Sequence, residues 1–201
     1  MTLITDAIRD ELTKLYNDLS RYYHSLRHVE ALLALLAGHH DKFHDPEAIE
    51  IAIWFHDAIY NAQAKGNQNE MESAKLAVSR LSGKVDAVRL DGIRIMIEAT
   101  ATHIVPNLPT TEEATDAAMF LDMDLSILGA NESDFDGYEA AVRKEYAHVD
   151  DEAWKQGRAA VLKRFLGRQW IYHSELFRGL LEEKARANLR KSVERLGGSA
   201  P

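Results

Sequence analysis

The residues of this chain with the clearest chemical potential are its histidines and the acids that follow them. The 201 residues include nine histidines and no cysteine, which excludes disulfides, thiolate zinc sites and cysteine nucleophiles. Three His-Asp pairs occur, and those that begin at His40 and His44 lie in a polar stretch that a solvated loop and a helix cap explain. The pair His56-Asp57 instead interrupts the apolar run 51–60, where ionisable groups need hydrogen-bond partners, opposite charges or a metal. A metal or catalytic role and a hydrogen-bonded core pair are the two interpretations of that pattern.

A second histidine pair precedes the next apolar stripe. His24 and His28 are four residues apart, so in a helix both side chains point to the same face. His28 falls at the edge of the stripe of Val29, Leu32 and Leu36, which is expected to face the core. The spacing therefore favours two imidazoles at the border of a buried site. The alternative is a solvent-facing histidine cluster at the start of a helix.

Two acids, Asp122 and Asp124, interrupt the apolar segment 120–129. On a continued helix Asp124 lies on the apolar face, whereas Asp122 lies roughly 200° away around the axis, at about 100° per residue. A carboxylate on an apolar face needs a cation or several hydrogen-bond donors, while Asp122 can be solvated. Asp124 is therefore predicted to be the functional acid of the two.

The elements that must carry these residues are helices. Period-2 alternation between turn signals is absent, and apolar stripes with helical spacing begin at Ile4 and Val29. Ser25 is expected to cap the second helix and Asp45 the third, which should run to about Tyr60. Six further helices are predicted over 69–82, 85–102, 112–128 (between Thr111 as a cap and Gly129 as a stop), 133–147, 151–166 and 174–196.

Composition and charge limit the function classes. Apolar residues make up 46% of the chain, which is enough for a core, and a single all-α domain of about eight or nine helices is predicted over residues 1–201. With a net charge of −8, the chain lacks the basic surface that binding to nucleic-acid polymers requires. The apolar stretches are shorter than the roughly 20 residues that span a bilayer, and no basic leader precedes them. The sequence thus predicts a cytoplasmic protein without nucleic-acid or membrane partners, and it leaves the oligomeric state open.

In chain order His28, His56-Asp57 and Asp124 reproduce an H…HD…D pattern, and the chain thereby resembles the HD superfamily of metal-dependent phosphohydrolases. The most similar group is a small bacterial branch of predicted phosphohydrolases with YHxxxH, FHDxxY, NE and DxDLxxLG motifs. The residues that match these motifs are Tyr23, His24, His28, Phe55, His56, Asp57, Tyr60, Asn69, Glu70, Asp122, Asp124, Leu125, Leu128 and Gly129. The likeness extends into the last third of the chain and covers most of the sequence.

The resemblance implies a helical cleft in which His28, His56, Asp57 and Asp124 bind one divalent metal ion. Two imidazoles and two carboxylates leave room for waters, which suits Mn²⁺, Fe²⁺, Co²⁺, Ni²⁺ or Mg²⁺ better than a closed tetrahedral site, with Zn²⁺ as a further candidate. Binuclear members of the superfamily place two more histidines between the HD pair and the last aspartate. This chain has His103 alone in that interval, so one metal ion is expected.

The implied activity is hydrolysis of a small, nucleotide-like phosphate ester by metal-activated water. Asp57 is expected to orient and deprotonate the water. His24 is expected to protonate the leaving oxygen, because it resembles the first histidine of the HNxxH motif in cyclic-nucleotide phosphodiesterases. Glu70 is the second candidate for that acid, and His103 is a candidate for lining the cleft, with a helix C-terminal histidine as the alternative. The HDxxED acids of guanosine tetraphosphate hydrolases are missing, which argues against that substrate.

Arginines are the candidates for binding the substrate phosphate, because a guanidinium forms paired hydrogen bonds with phosphate oxygens. Arg27 is favoured because it adjoins His28 in the sequence. The other candidates are Arg143, Arg158, Arg164 and Arg168, and for each of the five a surface or helix-pairing role is the alternative. Two other functions are open: a metal-binding or ligand-binding module without turnover, and a di-iron oxygenase, against which the missing histidine counts.

Overall fold

The structure is a computed structural model that describes residues 3–199. Those residues form nine α-helices and two 3₁₀ helices without a β-strand, so the predicted all-α fold class is confirmed. The chain divides into two compact units, Met1–Leu121 and Asp122–Pro201. The prediction of one domain over residues 1–201 stays a prediction.

The predicted helices are all found within the described residues. In chain order they are α1 (Asp6–Tyr16), α2 (Leu26–Gly38), α3 (Pro46–Phe55), α4 (Gln68–Leu81), α5 (Ala87–Ala99), α6 (Thr111–Asp124), α7 (Glu132–Glu145), α8 (Asp151–Leu166) and α9 (Glu175–Arg195). The two 3₁₀ helices are His40–Lys42 and Leu125–Gly129. None of the helices in the described part of the chain combines the length and the apolarity that crossing a bilayer requires.

The central helix of the first unit is α3. Its side chains from Ile51 to Phe55 are buried all around the helix, as expected for a run without a polar face. Helices α2, α4 and α5 pack against it, and α4 also packs along α5. The last turn of α3 therefore carries the His-Asp pair that follows it into the middle of this unit.

The third helix starts as the sequence predicts. The Asp45 carboxylate accepts a hydrogen bond from the Ala48 amide at 3.1 Å, and Pro46 occupies the first turn, where its missing N–H has no helical partner to lose. Ser25 also stands at the predicted N-cap position of α2, although its side chain makes no capping hydrogen bond. Local sequence signals thus place both helix starts correctly.

Helix α3 nevertheless ends well before the predicted end near Tyr60. Its last residue is Phe55, and residues 56–59 form turns and bends. The Arg21 side chain donates hydrogen bonds to the carbonyl oxygens of Asp57 and Ala58. These two carbonyls therefore have partners without the amides of a longer helix. The predicted extension is therefore wrong, and the His-Asp pair lies in a turn rather than inside a helix.

The cap of α6 is one residue earlier than predicted. Thr110 Oγ1 accepts a hydrogen bond from the Glu113 amide, and the Glu113 carboxylate accepts one from the Thr110 amide, each at 3.1 Å. This reciprocal pair is a capping box, in which threonine and glutamate satisfy two amides of the first turn. Thr111, the predicted cap, is instead the first helical residue.

The second unit is arranged around α9. The 3₁₀ helix Leu125–Gly129 packs against α9 and α7, and α8 packs against α9. At Gly129 a Cβ would lie 2.6 Å from the Leu181 Cβ and 2.9 Å from the Leu181 carbonyl oxygen, so the close approach requires glycine. Asn188 donates a hydrogen bond to the Leu128 carbonyl oxygen at 2.9 Å. Gly129 is the last residue of this 3₁₀ helix and lets it contact α9, whereas the predicted helix over 112–128 ends as an α-helix at Asp124.

Candidate metal centre

His28, His56 and Asp57 bring three ligand atoms together in the first unit. His56 Nε2 lies 3.2 Å from His28 Nε2 and 3.0 Å from Asp57 Oδ2, and His28 Nε2 lies 4.0 Å from the same oxygen. Two atoms that are each ~2.0–2.2 Å from one ion can be at most about 4.4 Å apart, so all three separations fit a single ion. This group, which we call the metal-ligand triad, could hold a metal ion.

The ring of His56 is oriented by its own helix. His56 follows the last residue of α3, and its Nδ1 lies 2.9 Å from the Ile53 carbonyl oxygen, which accepts a hydrogen bond when Nδ1 carries the proton. That tautomer leaves Nε2 as the acceptor nitrogen, an arrangement common to metal-binding histidines. The Phe120 ring packs edge-on against the imidazole at 6.1 Å, and His56 is 1% exposed. The buried imidazole thus presents one lone pair toward His28 and Asp57.

The triad is closed on its histidine side and more open at its carboxylate. His28 lies in the first turn of α2, and its ring packs at 4.9 Å against the Tyr23 ring. The side chains of His28 and His56 are 5% and 1% exposed, whereas that of Asp57 is 14% exposed. Asp57 is therefore the most accessible member of the triad.

His24 lies outside α2, in the bends before Leu26. His24 and His28 therefore do not share one helical face, and that prediction is wrong, because a single helix does not contain both residues. Aromatic contacts set the ring instead: it stacks on the Tyr60 ring with centroids 4.2 Å apart, and Tyr23 packs edge-on at 5.0 Å. These contacts place the imidazole beside the turn that carries Asp57.

Glu70 lies in the first turn of α4, and its charge interacts with those of Asp57, His24 and His103. Its Oε2 is buried and has no hydrogen-bond partner. Burial raises the pKa of the Glu70 carboxyl above its ordinary value, and the negative charge of Asp57 adds to this rise, while the two histidines oppose it. Glu70 thus lies within electrostatic reach of His24, His103 and Asp57, all of which the sequence predicted for the cleft.

His103 follows α5 with a positive φ of 50°. Its amide donates a hydrogen bond to the carbonyl oxygen of Ala99, the last residue of α5, at 2.9 Å, so the residue belongs to the turn that follows the helix. A left-handed backbone suits glycine best and is uncommon for other residues, although histidine tolerates it better than most. The position therefore fits the helix C-terminal interpretation, and the interaction with Glu70 also fits the predicted place beside the cleft.

In metal-free protein the free energy of unfolding should depend on pH through Glu70. A folded-state pKa above the unfolded value of 4.5 means that stability is greatest below 4.5 and falls as the pH rises through the raised value. Glu70→Gln cannot ionise, so we expect it to be more stable than the parent at neutral pH, with the gap closing in acid. Urea unfolding in EDTA from about pH 4 to about pH 8 measures this. A gap that stays constant across this range would contradict the assignment.

Asp122 is fully buried in the second unit. Its two carboxylate oxygens accept hydrogen bonds from the amides of His173 and Ser174, each at 2.7 Å. The possibility of a solvated Asp122 is therefore excluded, because the end of α6 is buried on nearly all sides and helical periodicity cannot distinguish its faces there. The carboxylate anchors the residues that precede α9.

Asp124 is the last residue of α6 and is half-buried. The α-helix changes to a 3₁₀ helix at Leu125, so the angular spacing used to place Asp124 on the apolar face does not continue beyond it. Within the second unit its charge interacts with Tyr138. The role of Asp124 as the fourth metal ligand stays a prediction.

The arginines predicted to bind phosphate have different surroundings. Arg27 is exposed and directly precedes His28 at the start of α2. In the second unit, Arg143 donates hydrogen bonds to the Tyr146 carbonyl oxygen and to the Asp151 carboxylate, each at 2.7 Å. These contacts explain Arg143 as a residue that joins α7 to α8, which is the alternative that the sequence left open.

Arg158 is buried within the second unit. It donates hydrogen bonds to the Glu139 carboxylate at 3.1 Å and to the Tyr138 hydroxyl at 2.7 Å, and so joins α8 to α7. The guanidinium groups of Arg164 and Arg168 lie over the Phe165 ring at 5.5 Å and 4.7 Å. For these arginines, as for Arg143, phosphate binding stays a prediction.

Arg21 belongs to the site although no sequence pattern indicates it. Its guanidinium donates hydrogen bonds to the carbonyl oxygens of Asp57 at 2.6 Å and of Ala58 at 2.8 Å. An arginine that binds backbone carbonyls has no fixed spacing to a partner side chain, so neither motif nor periodicity could reveal the contact. The resemblance to the FHDxxY motif covers the residues that Arg21 holds, but not Arg21 itself.

Two further side chains from α4 hold the same turn. Ser73 Oγ accepts a hydrogen bond from the Ile59 amide at 3.0 Å and donates one to the Ile59 carbonyl oxygen at 3.2 Å. Asn69 binds both backbone groups of Asn61 in the same way, at 3.0 Å and 3.1 Å. The asparagine of the NE motif therefore has a backbone-holding role, next to Glu70 in the sequence.

No protein-family model, curated protein or solved structure matches this chain. The candidate centre is supported by its own geometry, since the ligand atoms of His28, His56 and Asp57 all lie within 4.8 Å of one another. Imidazole and carboxylate donors accept several divalent ions, so the triad could hold a metal ion without selecting one.

Proposed function

We propose that this chain is a metal-dependent phosphohydrolase that acts on a small phosphate ester. The observation that carries the proposal is the convergence of His28, His56 and Asp57, whose ligand atoms lie 3.0 to 4.0 Å apart inside the first unit. The resemblance of the H…HD…D order to the HD phosphohydrolases supports it. One divalent ion of the Mn²⁺, Fe²⁺, Co²⁺, Ni²⁺, Mg²⁺ or Zn²⁺ type is the proposed cofactor.

When bound, such an ion supplies a Lewis acid that makes water more acidic and neutralises phosphate oxygens. The residues of the chain have the other tasks. His56 keeps its proton on Nδ1 against the Ile53 carbonyl oxygen and so holds its Nε2 toward the ion. Asp57, the most accessible member of the triad, orients the attacking water and accepts its proton at a carboxylate oxygen.

His24 is the proposed proton donor to the leaving oxygen. It lies outside the triad, its ring is held against Tyr60, and its charge interacts with that of Glu70, which in turn interacts with Asp57. A donor that does not bind the ion keeps its proton available at a ring nitrogen. Glu70 is the second candidate, because its buried Oε2 has no hydrogen-bond partner.

Arg27 is the proposed anchor for the phosphate. It is exposed and adjacent in sequence to His28, so its guanidinium can reach a ligand from solvent. The paired N–H donors of a guanidinium can bind two phosphate oxygens at once, whereas a lysine ammonium does not offer this paired geometry. By resemblance, the proposed substrate is a nucleotide-like ester, with His103 beside the cleft that receives it.

Metal content and phosphate release test the proposal together. The full chain, loaded with Mn²⁺, Co²⁺ or Fe²⁺ and freed of excess ion, should contain one metal ion per chain by elemental analysis. It should release phosphate from at least one member of a panel of nucleotides and p-nitrophenyl phosphate. One metal without any turnover would favour the ligand-binding alternative. Two irons per chain with an optical absorption band would favour the oxygenase.

A further inference from the structure

We infer that Arg21 is a positioning residue that sets the metal affinity of the triad by holding the turn of Asp57. The inference rests on the metal site proposed above. Arg21 acts on the backbone of the turn and not on the ion or the substrate, so its effect differs from that of a ligand or a proton donor. The geometry that supports it lies entirely within the first unit.

The guanidinium of Arg21 connects two segments that carry site residues. Its Nη1 donates hydrogen bonds to the carbonyl oxygens of Asp57 at 2.6 Å and of His24 at 3.2 Å, and its Nη2 donates one to that of Ala58 at 2.8 Å. The loop before α2 and the turn after α3 are therefore fixed to each other through one planar group. Charge assistance strengthens such hydrogen bonds relative to those between neutral groups.

Aromatic rings hold the guanidinium in place. It lies over the Tyr16 ring at 5.1 Å and over the Tyr60 ring at 5.6 Å. The Tyr16 ring is itself fixed, because its hydroxyl donates a hydrogen bond to the Trp54 carbonyl oxygen at 3.1 Å. Arg21 is thus packed between rings that belong to the site and to the core, which limits how far its donors can move.

The turn needs these contacts because the helix has already ended. The last hydrogen bonds of α3 run from the His56 amide to Ala52 and from the Ala58 amide to Phe55. Beyond them the direction of the Asp57 carboxylate depends on side chains that bind the turn, and Arg21 binds two consecutive carbonyls of it. Groups that orient metal ligands without touching the metal typically change metal affinity about 10–100-fold when they are removed.

The test compares Arg21→Gln and Arg21→Lys with Arg80→Gln. Arg80 is a matched control, because it lies in the same unit and its guanidinium also makes three hydrogen bonds, two to the Glu11 carboxylate and one to the Ser79 hydroxyl. Calorimetric titration of chelator-treated full chain with Co²⁺ gives Kd, and the absorption spectrum of bound Co²⁺ reports the ligand geometry. Hydrogen exchange of residues 57–61 in metal-free protein reports the turn itself.

We expect Arg21→Gln to weaken Co²⁺ binding about 10–100-fold, to change the Co²⁺ spectrum and to speed amide exchange in the turn. The Co²⁺ affinity of Arg21→Lys should be closer to that of Arg21→Gln than to that of the parent, because one ammonium nitrogen cannot replace the paired N–H donors of the guanidinium. Arg80→Gln should lower the unfolding midpoint and leave Kd, spectrum and turn exchange unchanged.

Parental Kd and turn exchange in Arg21→Gln would overturn the inference, as would an equal loss of affinity in Arg80→Gln. A parent chain that binds Co²⁺ but releases no phosphate would refute the proposed function alone, since the affinities still decide the role of Arg21. A parent chain that binds no divalent ion would refute both the metal site and the inference, whatever the exchange data show for the turn.

Discussion

Replacing Asp57 by alanine should abolish metal binding and turnover together. Asp57 Oδ2 lies 3.0 Å from His56 Nε2 and 4.0 Å from His28 Nε2, so its loss removes the carboxylate of the triad and leaves two imidazoles. Removing a group that only hydrogen-bonds a metal ligand can weaken metal binding about 100-fold. We expect the loss of Asp57, which is itself a proposed ligand, to weaken it more. Titration with Mn²⁺ or Co²⁺ and phosphate release measure the two losses.

The chain offers a matched control for Asp57→Ala. Asp41 belongs to another His-Asp pair, its side chain is 77% exposed, and Asp41→Ala should leave metal binding and activity unchanged. Asp57→Asn conserves the shape of the side chain and separates a loss of ligand charge from a loss of folding, which circular dichroism checks. An Asp57→Ala protein that is folded and retains the parental metal content would refute the proposed site.

The second large effect is expected for His24→Ala. The ring stacks on Tyr60 outside the triad, so the substitution should leave the metal content near that of the parent. Loss of a proton donor lowers kcat typically about 10²–10⁴-fold, and we expect that loss for nucleotide substrates. It should be much smaller for p-nitrophenyl phosphate, because p-nitrophenolate leaves without being protonated.

Steady-state kinetics on both substrates separates the roles of His24. His40, which is exposed and also followed by an aspartate, gives the control His40→Ala, for which we expect parental kcat on both substrates. Equal impairment of the activated ester and the nucleotide by His24→Ala would show that His24 positions the substrate instead of protonating it. In that case Glu70 becomes the leading candidate for the acid.

Features that depend on neighbouring residues could be predicted from the sequence. The cap at Asp45 and the proline after it define the start of α3, and the predicted span 151–166 coincides with α8. The metal-ligand triad was also predicted, because two ionisable residues in an apolar run need partners and the H…HD…D order indicated His28 as one of them. Local chemistry and motif order were sufficient for these features.

Features that depend on tertiary contacts were not predictable. Helix α3 ends at Phe55, and Arg21 binds the carbonyl oxygens of Asp57 and Ala58 in the turn beyond it; apolar periodicity contains no information about such a contact. The helical wheel, which assumes one exposed face, allowed Asp122 to be solvated. In the structure the amides of His173 and Ser174, about fifty residues later in the chain, satisfy its carboxylate instead.

The early end of α3 has a consequence for how metal binding reports on folding. The chain turns after Phe55, and this turn brings together the donor atoms of the consecutive residues His56 and Asp57 at little cost in loop-closure entropy. The third donor, His28, is supplied by α2. A bound ion would therefore cross-link α2 to the end of α3. Any core substitution that loosens this pair of helices should raise the dissociation constant, and saturating metal should raise the unfolding midpoint in return. The metal dissociation constant would then report how tightly α2 and α3 pack against each other.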